Sequence, residues 1–181
     1  AECRYGYRMS MFKEEENKGR YVVTSVLFRL SRAPRPRVEY HGLLETLGGN
    51  TPQSPQEVRE AVIKLRRSKL PDPEETGSAG SFFKNPVVSA EEFRRISPDG
   101  SAPHYLLPDG GVKIPAAWLI DSCSLKGASE GGAAVYEKQP LVIVNRSGEA
   151  TPSDVLALEK RVVDTVRERF GVELVPEVEH I

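Results

Sequence analysis

The residue types best suited to chemistry crowd into one short run, Gly77-Ser78-Ala79-Gly80-Ser81-Phe82-Phe83-Lys84-Asn85-Pro86. Ser81 offers a hydroxyl, Lys84 an ammonium and Asn85 a carboxamide, while Gly77 and Gly80 let the backbone approach a ligand closely. The same letters also suit a structural loop in which Phe82 and Phe83 anchor in a core, and residue types alone leave both readings open. The run is no P-loop, since no Gly-x-x-x-x-Gly-Lys-Ser/Thr occurs, and it lacks the Gly-x-Gly-x-x-Gly fingerprint. No Gly-x-Ser-x-Gly elbow is present either, so hydrolase chemistry has no support. Cys3 and Cys123 lie far apart without ligand-spaced neighbours, which argues for two reduced thiols, Cys123 on the buried side of a short helix, and against zinc. His41, His104 and His180 are scattered singly and read as surface or loop residues.

The elements that must position these groups follow from periodicity. Arg20 to Leu30 is rich in β-branched and aromatic residues, with Val22, Val26, Phe28 and Leu30 at even spacing, and predicts a strand. Ser31 to Pro36 reads as an exposed turn, followed by a short extended segment at Val38 to Tyr40. Ser54-Pro55-Gln56-Glu57 opens a helix over about 55–68, with Val58, Ala61, Val62 and Leu65 on one face and Pro71 and Pro73 as its stop. The polar stretch 72–80 that follows marks the best domain boundary. Short helices are expected at Glu91 to Ile96 and Ala116 to Cys123, with a long loop between them at Ser97 to Gly111. A buried strand is expected at Leu141 to Val144. Thr151 starts a long helix whose stripe is Val155, Leu158, Val162, Val166 and Phe170; Gly171 ends it, and Val172 to Val175 is a closing strand. Separated strands and helices argue for an α+β fold rather than regular βαβ alternation.

Bulk properties narrow the partners. The 181 residues carry a net charge of −1, which excludes the basic footprint of a nucleic-acid binder and leaves any anionic ligand to a few placed cations. No apolar run approaches the roughly 20 residues a membrane span requires, and no signal-peptide pattern opens the chain, so a soluble cytoplasmic protein is expected. The first residue is Ala1 and the chain enters at once an aromatic, cationic stretch, Cys3-Arg4-Tyr5-Gly6-Tyr7-Arg8, which reads as a beginning in mid-protein.

Ordered blocks then carry a resemblance. Lys69-Leu70-Pro71-Asp72-Pro73 followed by Ala79 to Val88 is similar to the signature of the UDP-N-acetylenolpyruvoylglucosamine reductases. Upstream, Tyr7-Arg8-Met9-Ser10-Met11-Phe12-Lys13 resembles the family's Tyr-Arg-x-Ser-x-Phe-Lys element. Downstream, Lys113 to Asp121 through Leu125-Lys126-Gly127, then Gly131 to Val135, then Leu174 to Val178 agree in order and spacing. The Val38 to Leu43 segment resembles a loop of the longer, type I branch. What the resemblance implies is reduction of the enolpyruvyl ether of UDP-N-acetylglucosamine by NADPH through bound FAD, in two half-reactions sharing one site. By resemblance Ser81 donates the proton, Arg8 clamps the substrate carboxylate, and Glu177 hydrogen-bonds the same group, best in its protonated form. Tyr40, Lys69, Asn85, Tyr105, Lys126 and Gln139 match positions that hold the diphosphate, uridine or sugar, and Arg66 matches one facing the flavin or its phosphates.

This sequence departs from the family's habit at Met9, at Ala117 before Trp118, and at Glu179, none of which is the expected proton donor. The glycine-rich flavin loops of the family's N-terminal segment do not occur here. The resemblance therefore implies a C-terminal half. Residues 1–70 would be the end of an FAD-binding α+β domain, 71–171 a substrate-binding domain with a mixed or antiparallel sheet and packed helices, and 172–181 a return strand carrying Glu177. The isolated piece is expected to be inactive without the N-terminal domain. A non-catalytic UDP-sugar-binding module derived from such an enzyme is the alternative.

Overall fold

A computed structural model describes the chain except for Ala1, Tyr7, Pro34, His41 and Ile181. It divides into two compact units, residues 1–35 and 36–181. The histidine reading at His41 thus lies outside the described residues.

In the first unit two short 3-10 turns, Met11–Lys13 and Glu15–Asn17, are tied by the buried Asn17, whose Nδ2 donates to the Met11 carbonyl at 2.9 Å. The strand expected over Arg20 to Leu30 is not formed: residues 21–30 make no strand pairing among the described residues. Their apolar side chains are exposed, Leu27 fully and Leu30 at 85%. The composition suits a pleated surface, but a strand exists only where a neighbour accepts its backbone groups, and the described residues supply none.

The second unit contains five helices and seven strands among the described residues: α1 (Leu43–Thr46), α2 (Pro55–Lys69), β1 (Ser78–Ser81), β2 (Val87–Val88), α3 (Ala90–Ile96), β3 (Tyr105–Leu106), β4 (Val112–Lys113), α4 (Ala116–Ser122), β5 (Ser129–Glu130), β6 (Ala133–Val135), β7 (Val142–Asn145) and α5 (Pro152–Phe170). The strands form an antiparallel sheet ordered β1-β7-β6-β5 and a smaller one ordered β2-β4-β3. This is a mixed α+β architecture. The boundary expected near residue 70 falls inside this unit.

Helix α2 begins as its sequence predicts: the Ser54 hydroxyl accepts from Glu57 N at 3.2 Å, and Glu57 Oε2 accepts from Gln53 N at 3.1 Å. Of its expected apolar face only Ala61 is buried. Helix α5 is the core's backbone, with Leu158, Val162 and Val166 wholly buried against a cluster that includes Leu119, Ile120, Ala133 and Val135. Each such aliphatic side chain contributes about 1.5–3 kcal/mol relative to exposure.

The start of α5 explains the Gly131-Gly132 pair. Asp154 accepts from Thr151 N at 2.9 Å and from Gly132 N at 3.3 Å, while Asp154 N donates to the Thr151 hydroxyl. These backbone N–H groups hold the Asp154 carboxyl below the usual carboxylate range. A Cβ on Gly131 would stand 2.2 Å from Asp154 Oδ1, and one on Gly132 2.7 Å from the Ala150 Cα. Gly171 then closes the helix at φ 68°, as a C′ glycine should.

Three further expectations shift in detail. The long loop 97–111 contains β3, paired with β4. Part of the glycine-punctuated run is strand β1, paired with β7. The closing strand expected at Val172 to Val175 is an extended segment, with Val172 and Leu174 buried, joined by a single bridge between Phe83 and Pro176. Among the described residues no helix is long and apolar enough to cross a membrane, and no three His, Cys, Asp or Glu side chains gather as metal ligands. Cys3 and Cys123 are free, and burial pushes the Cys123 thiol up.

Candidate functional site

The register of β1 sets the geometry. Ser78 lies opposite Val144 but Ser81 lies opposite Val142, so β1 uses one residue more than β7 across the interval and bulges at Ala79-Gly80. Gly80 takes φ +75°, a conformation glycine adopts without steric cost, and the bulge re-aims the residue that follows. Ser81 is exposed, while Phe82 and Phe83 are each 2% exposed and stack with centroids 5.1 Å apart. Both readings of the run therefore hold at once: the aromatics anchor the chain, and the anchoring fixes the serine and lysine on either side at the surface.

The C-terminal segment is stitched onto this strand. Lys84 N donates to the Val175 carbonyl at 2.9 Å and Glu177 N donates to the Phe82 carbonyl at 2.8 Å. Glu177 is thereby a backbone hydrogen bond away from the residue after Ser81, and its Oε2 atom is buried. The backbone pairing thus brings the Glu177 segment beside the Ser81 run, although 96 positions separate the two residues in sequence.

On its other side Ser81 adjoins the β6–β7 turn. Phe82 N donates to the Leu141 carbonyl at 2.8 Å, and Val142 N to the Gln139 carbonyl at 3.0 Å. Gln139 in turn lines a cavity of about 380 Å³ with Tyr40, Leu43, Val62, Leu65, Arg66, Lys69 and Leu70. Four separately expected positions, Tyr40, Arg66, Lys69 and Gln139, meet there. The apolar wall was not foreseen: Val62 and Leu65 belong to the apolar face of α2, and they line this cavity. A helix face that borders a cavity carries the same 3.6-residue signal as one that borders a core.

Asn85 has a structural task. Its Oδ1 accepts from Ala116 N at 2.9 Å, capping α4 across 31 positions and fixing the amide so that its Nδ2 is the group left to donate. Tyr105 lies on β3 directly opposite Lys113, whose Nζ stands 5.1 Å from the phenol ring centroid. Lys126 pairs with Asp121 at 2.8 Å, both side chains partly exposed, an ion pair that an anionic ligand would have to compete with. Arg8 belongs to the first unit. There it sits in the turn closed by Gly6 N to the Met9 carbonyl at 2.9 Å, at φ 58°, a region few non-glycine residues adopt.

His104 stacks on Phe93 with centroids 4.4 Å apart, and its Nδ1 lies 2.8 Å from the Ala102 carbonyl. His180 pairs with Glu159 of α5 at 3.0 Å. Neither histidine is among the residues drawn around Ser81.

Comparison with known proteins bears on this arrangement. Residues 72–181 match the family described as UDP-N-acetylenolpyruvoylglucosamine reductase, C-terminal domain. The UDP-N-acetylenolpyruvoylglucosamine reductase of Paraburkholderia xenovorans (strain LB400) is 50% identical over 182 residues, covering 97% of this chain and 51% of that protein. That of Chromobacterium violaceum is 49% identical over 180 residues, covering 98% and 52% respectively. That of Burkholderia ambifaria (strain MC40-6) is 48% identical over 184 residues, again covering 98% and 52%. The chain spans about half the length of the curated relatives it matches.

Proposed function

Because the chain belongs to the UDP-N-acetylenolpyruvoylglucosamine reductase family, we propose that the protein containing it reduces the enolpyruvyl ether of UDP-N-acetylglucosamine to UDP-N-acetylmuramate, in the cytoplasm, for peptidoglycan precursor synthesis. The observation that supports this reading is the backbone pairing that brings the Glu177 segment beside the Ser81 run, with the Gln139 turn leading on to the Tyr40–Lys69 cavity.

The residues of this chain fit FAD at one margin only. Arg66 reaches into the cavity and would meet the flavin or its phosphates. The enclosing glycine-rich loops belong to the N-terminal half that the relatives' greater length leaves room for. The exposed apolar residues 21–30 support this: a strand-patterned segment without a neighbour suits a sheet completed by other chain. On this reading residues 1–70 end the flavin-binding domain, 71–171 bind substrate, and 172–181 return Glu177 to the site.

When bound, FAD reduced by NADPH would supply the hydride for the vinyl carbon of the substrate. The adjoining carbon, left electron-rich beside the carboxylate, takes its proton from Ser81 Oγ; so basic a carbon needs no stronger acid than a hydroxyl. Arg8 clamps the carboxylate with paired donors, and Glu177, protonated, hydrogen-bonds the same group as negative charge spreads onto it. Lys69, Tyr40, Gln139, Asn85, Tyr105 and Lys126 hold the nucleotide diphosphate and sugar, the lysines acting as compact cations.

The test is a stopped-flow comparison on the full-length protein. Ser81→Ala should leave NADPH-driven flavin bleaching nearly intact and slow reoxidation by the enolpyruvyl substrate by about 10²–10⁴-fold. Unchanged reoxidation would remove Ser81 from the chemistry. Arg8→Ala should slow the same half-reaction; an effect on substrate affinity alone would reduce Arg8 to a binding group. A full-length protein that binds UDP-N-acetylglucosamine but holds no flavin would favour a binding module instead.

A further inference from the structure

The segment that carries Glu177 is fastened on both sides of that residue, and the second fastening is one the resemblance does not supply. Ahead of Glu177, Lys84 N donates to the Val175 carbonyl at 2.9 Å, Pro176 bridges Phe83, and Glu177 N donates to the Phe82 carbonyl at 2.8 Å. Past the Glu177 N–H the segment makes no further backbone pairing among the described residues, and an extended stretch without pairing opens easily. Its hold on the fold passes to side chains. Val178 packs against the main hydrophobic core, and His180 Nε2 lies 3.0 Å from Oε2 of Glu159 on α5.

The two partners differ in their access to water. The Glu159 side chain is only 14% exposed and its Oε2 is shielded from solvent, whereas half of the His180 side chain is exposed. Oε2 accepts no well-aligned hydrogen bond, and a carboxylate oxygen taken out of water needs an opposing charge. The cations that follow Glu159 on α5 are engaged elsewhere, Lys160 with Asp164 and Arg161 with Glu130 at 2.8 Å. The charge facing Oε2 is therefore the imidazole. Two acceptors would repel each other at 3.0 Å, so Nε2 carries a proton there. The helix makes a firm anchor, because Leu158, beside Glu159, and Val162 are wholly buried.

We propose that His180 and Glu159 form a clasp that positions Glu177: by holding the residues after it against α5, the pair fixes the direction in which the Glu177 side chain leaves the backbone. His180 is a positioning residue, acting through Glu177 rather than on the substrate. The proposal rests on the reductase reading for the task of Glu177 and adds the pair to it.

Full-length wild type, His180→Ala, His180→Arg, Glu159→Gln and the double variant His180→Ala with Glu159→Gln are compared by stopped flow and by hydrogen exchange. Each of His180→Ala and Glu159→Gln should slow flavin reoxidation by the enolpyruvyl substrate about tenfold, while NADPH-driven bleaching stays within about twofold of wild type. The double variant should be within about twofold of the slower single one, since both changes remove the same contact. His180→Arg keeps a cation opposite the carboxylate and should recover reoxidation to within about threefold. In His180→Ala the Glu177 N–H should exchange about tenfold faster, with the α5 amides unchanged. Wild-type reoxidation in His180→Ala, equal slowing in His180→Arg and His180→Ala, or a parallel loss of NADPH-driven bleaching overturns the proposal. If Glu177→Gln reoxidises like wild type, the reductase reading of Glu177 fails separately, while exchange at the Glu177 N–H still decides the clasp.

Discussion

Asn85 is the residue at which architecture and ligand binding can be separated by two substitutions. Its Oδ1 caps Ala116 N at 2.9 Å, and Ala116 is wholly buried, so the N–H released by Asn85→Ala has no water to turn to. Loss of this cap leaves a buried donor unsatisfied, at about 1–3 kcal/mol, which sets an expectation near 2 kcal/mol. With a urea m-value of about 2 kcal/mol/M, the unfolding midpoint of the full-length protein should fall by about 1 M. Asn85→Asp accepts the same bond and places a negative charge at a helix N-terminus, a contact worth about 0.3–1 kcal/mol, so its midpoint should match or exceed wild type. Binding should sort the variants differently. Both lose the amide donor, and aspartate adds charge repulsion toward a phosphate, so UDP should weaken at least about tenfold in each, or about 1.4 kcal/mol. The assays are urea denaturation followed by fluorescence and calorimetric titration with UDP. If Asn85→Asp is destabilised as much as Asn85→Ala, the cap is not what this side chain contributes. If it binds UDP like wild type, the amide is no ligand donor.

Two other outcomes follow from backbone geometry and titration. Gly80→Ala should destabilise by about 1–2 kcal/mol, measured by the same denaturation, because φ is +75° while the new methyl would meet nothing within 4 Å; the cost is conformational, and Gly80→Asn should recover part of it. Asp154 has its carboxyl pKa depressed in the folded state, chiefly by the Thr151 and Gly132 N–H groups, so its contribution is present above the ordinary carboxylate range and is lost as pH falls through the folded value. Asp154→Ala should therefore lower stability at neutral pH and flatten the acid side of the stability curve below the ordinary carboxylate range, and an acid limb identical to wild type would contradict the sign.

The helices were legible because their signals are local. Ser54 with Glu57 and Thr151 with Asp154 form the expected caps, Ser89 with Glu92 adds one that was not singled out, and Gly171 ends α5 where a left-handed residue is needed. Strands were less so, because pairing is not a property of the strand alone. Arg20 to Leu30 has the better strand composition and pairs with nothing described, while Ser78–Ser81, made of two serines, an alanine and a glycine, pairs with β7 because Val142 to Asn145 presents an edge to it. The site residues were named by resemblance to ordered blocks, and what the sequence could not convey was their adjacency. The segments that carry Ser81, Glu177 and Gln139 are brought together only through the backbone pairings of Phe82 with Leu141 and with Glu177.

The exposed stretch 21–30 has a consequence for how such a chain behaves during synthesis. Val22, Val23, Val26, Leu27, Phe28 and Leu30 form a nearly uncharged segment of high β-propensity. Such a segment will pair with whatever edge it meets first, including its own copy on another chain, in the manner of cross-β stacking. Arg20 and Arg29 are the flanking charges that oppose this, and the Arg32, Arg35 and Arg37 cluster lies just beyond. The time between the emergence of this segment and its coverage is thus an interval of aggregation risk, in which those arginines act as gatekeepers.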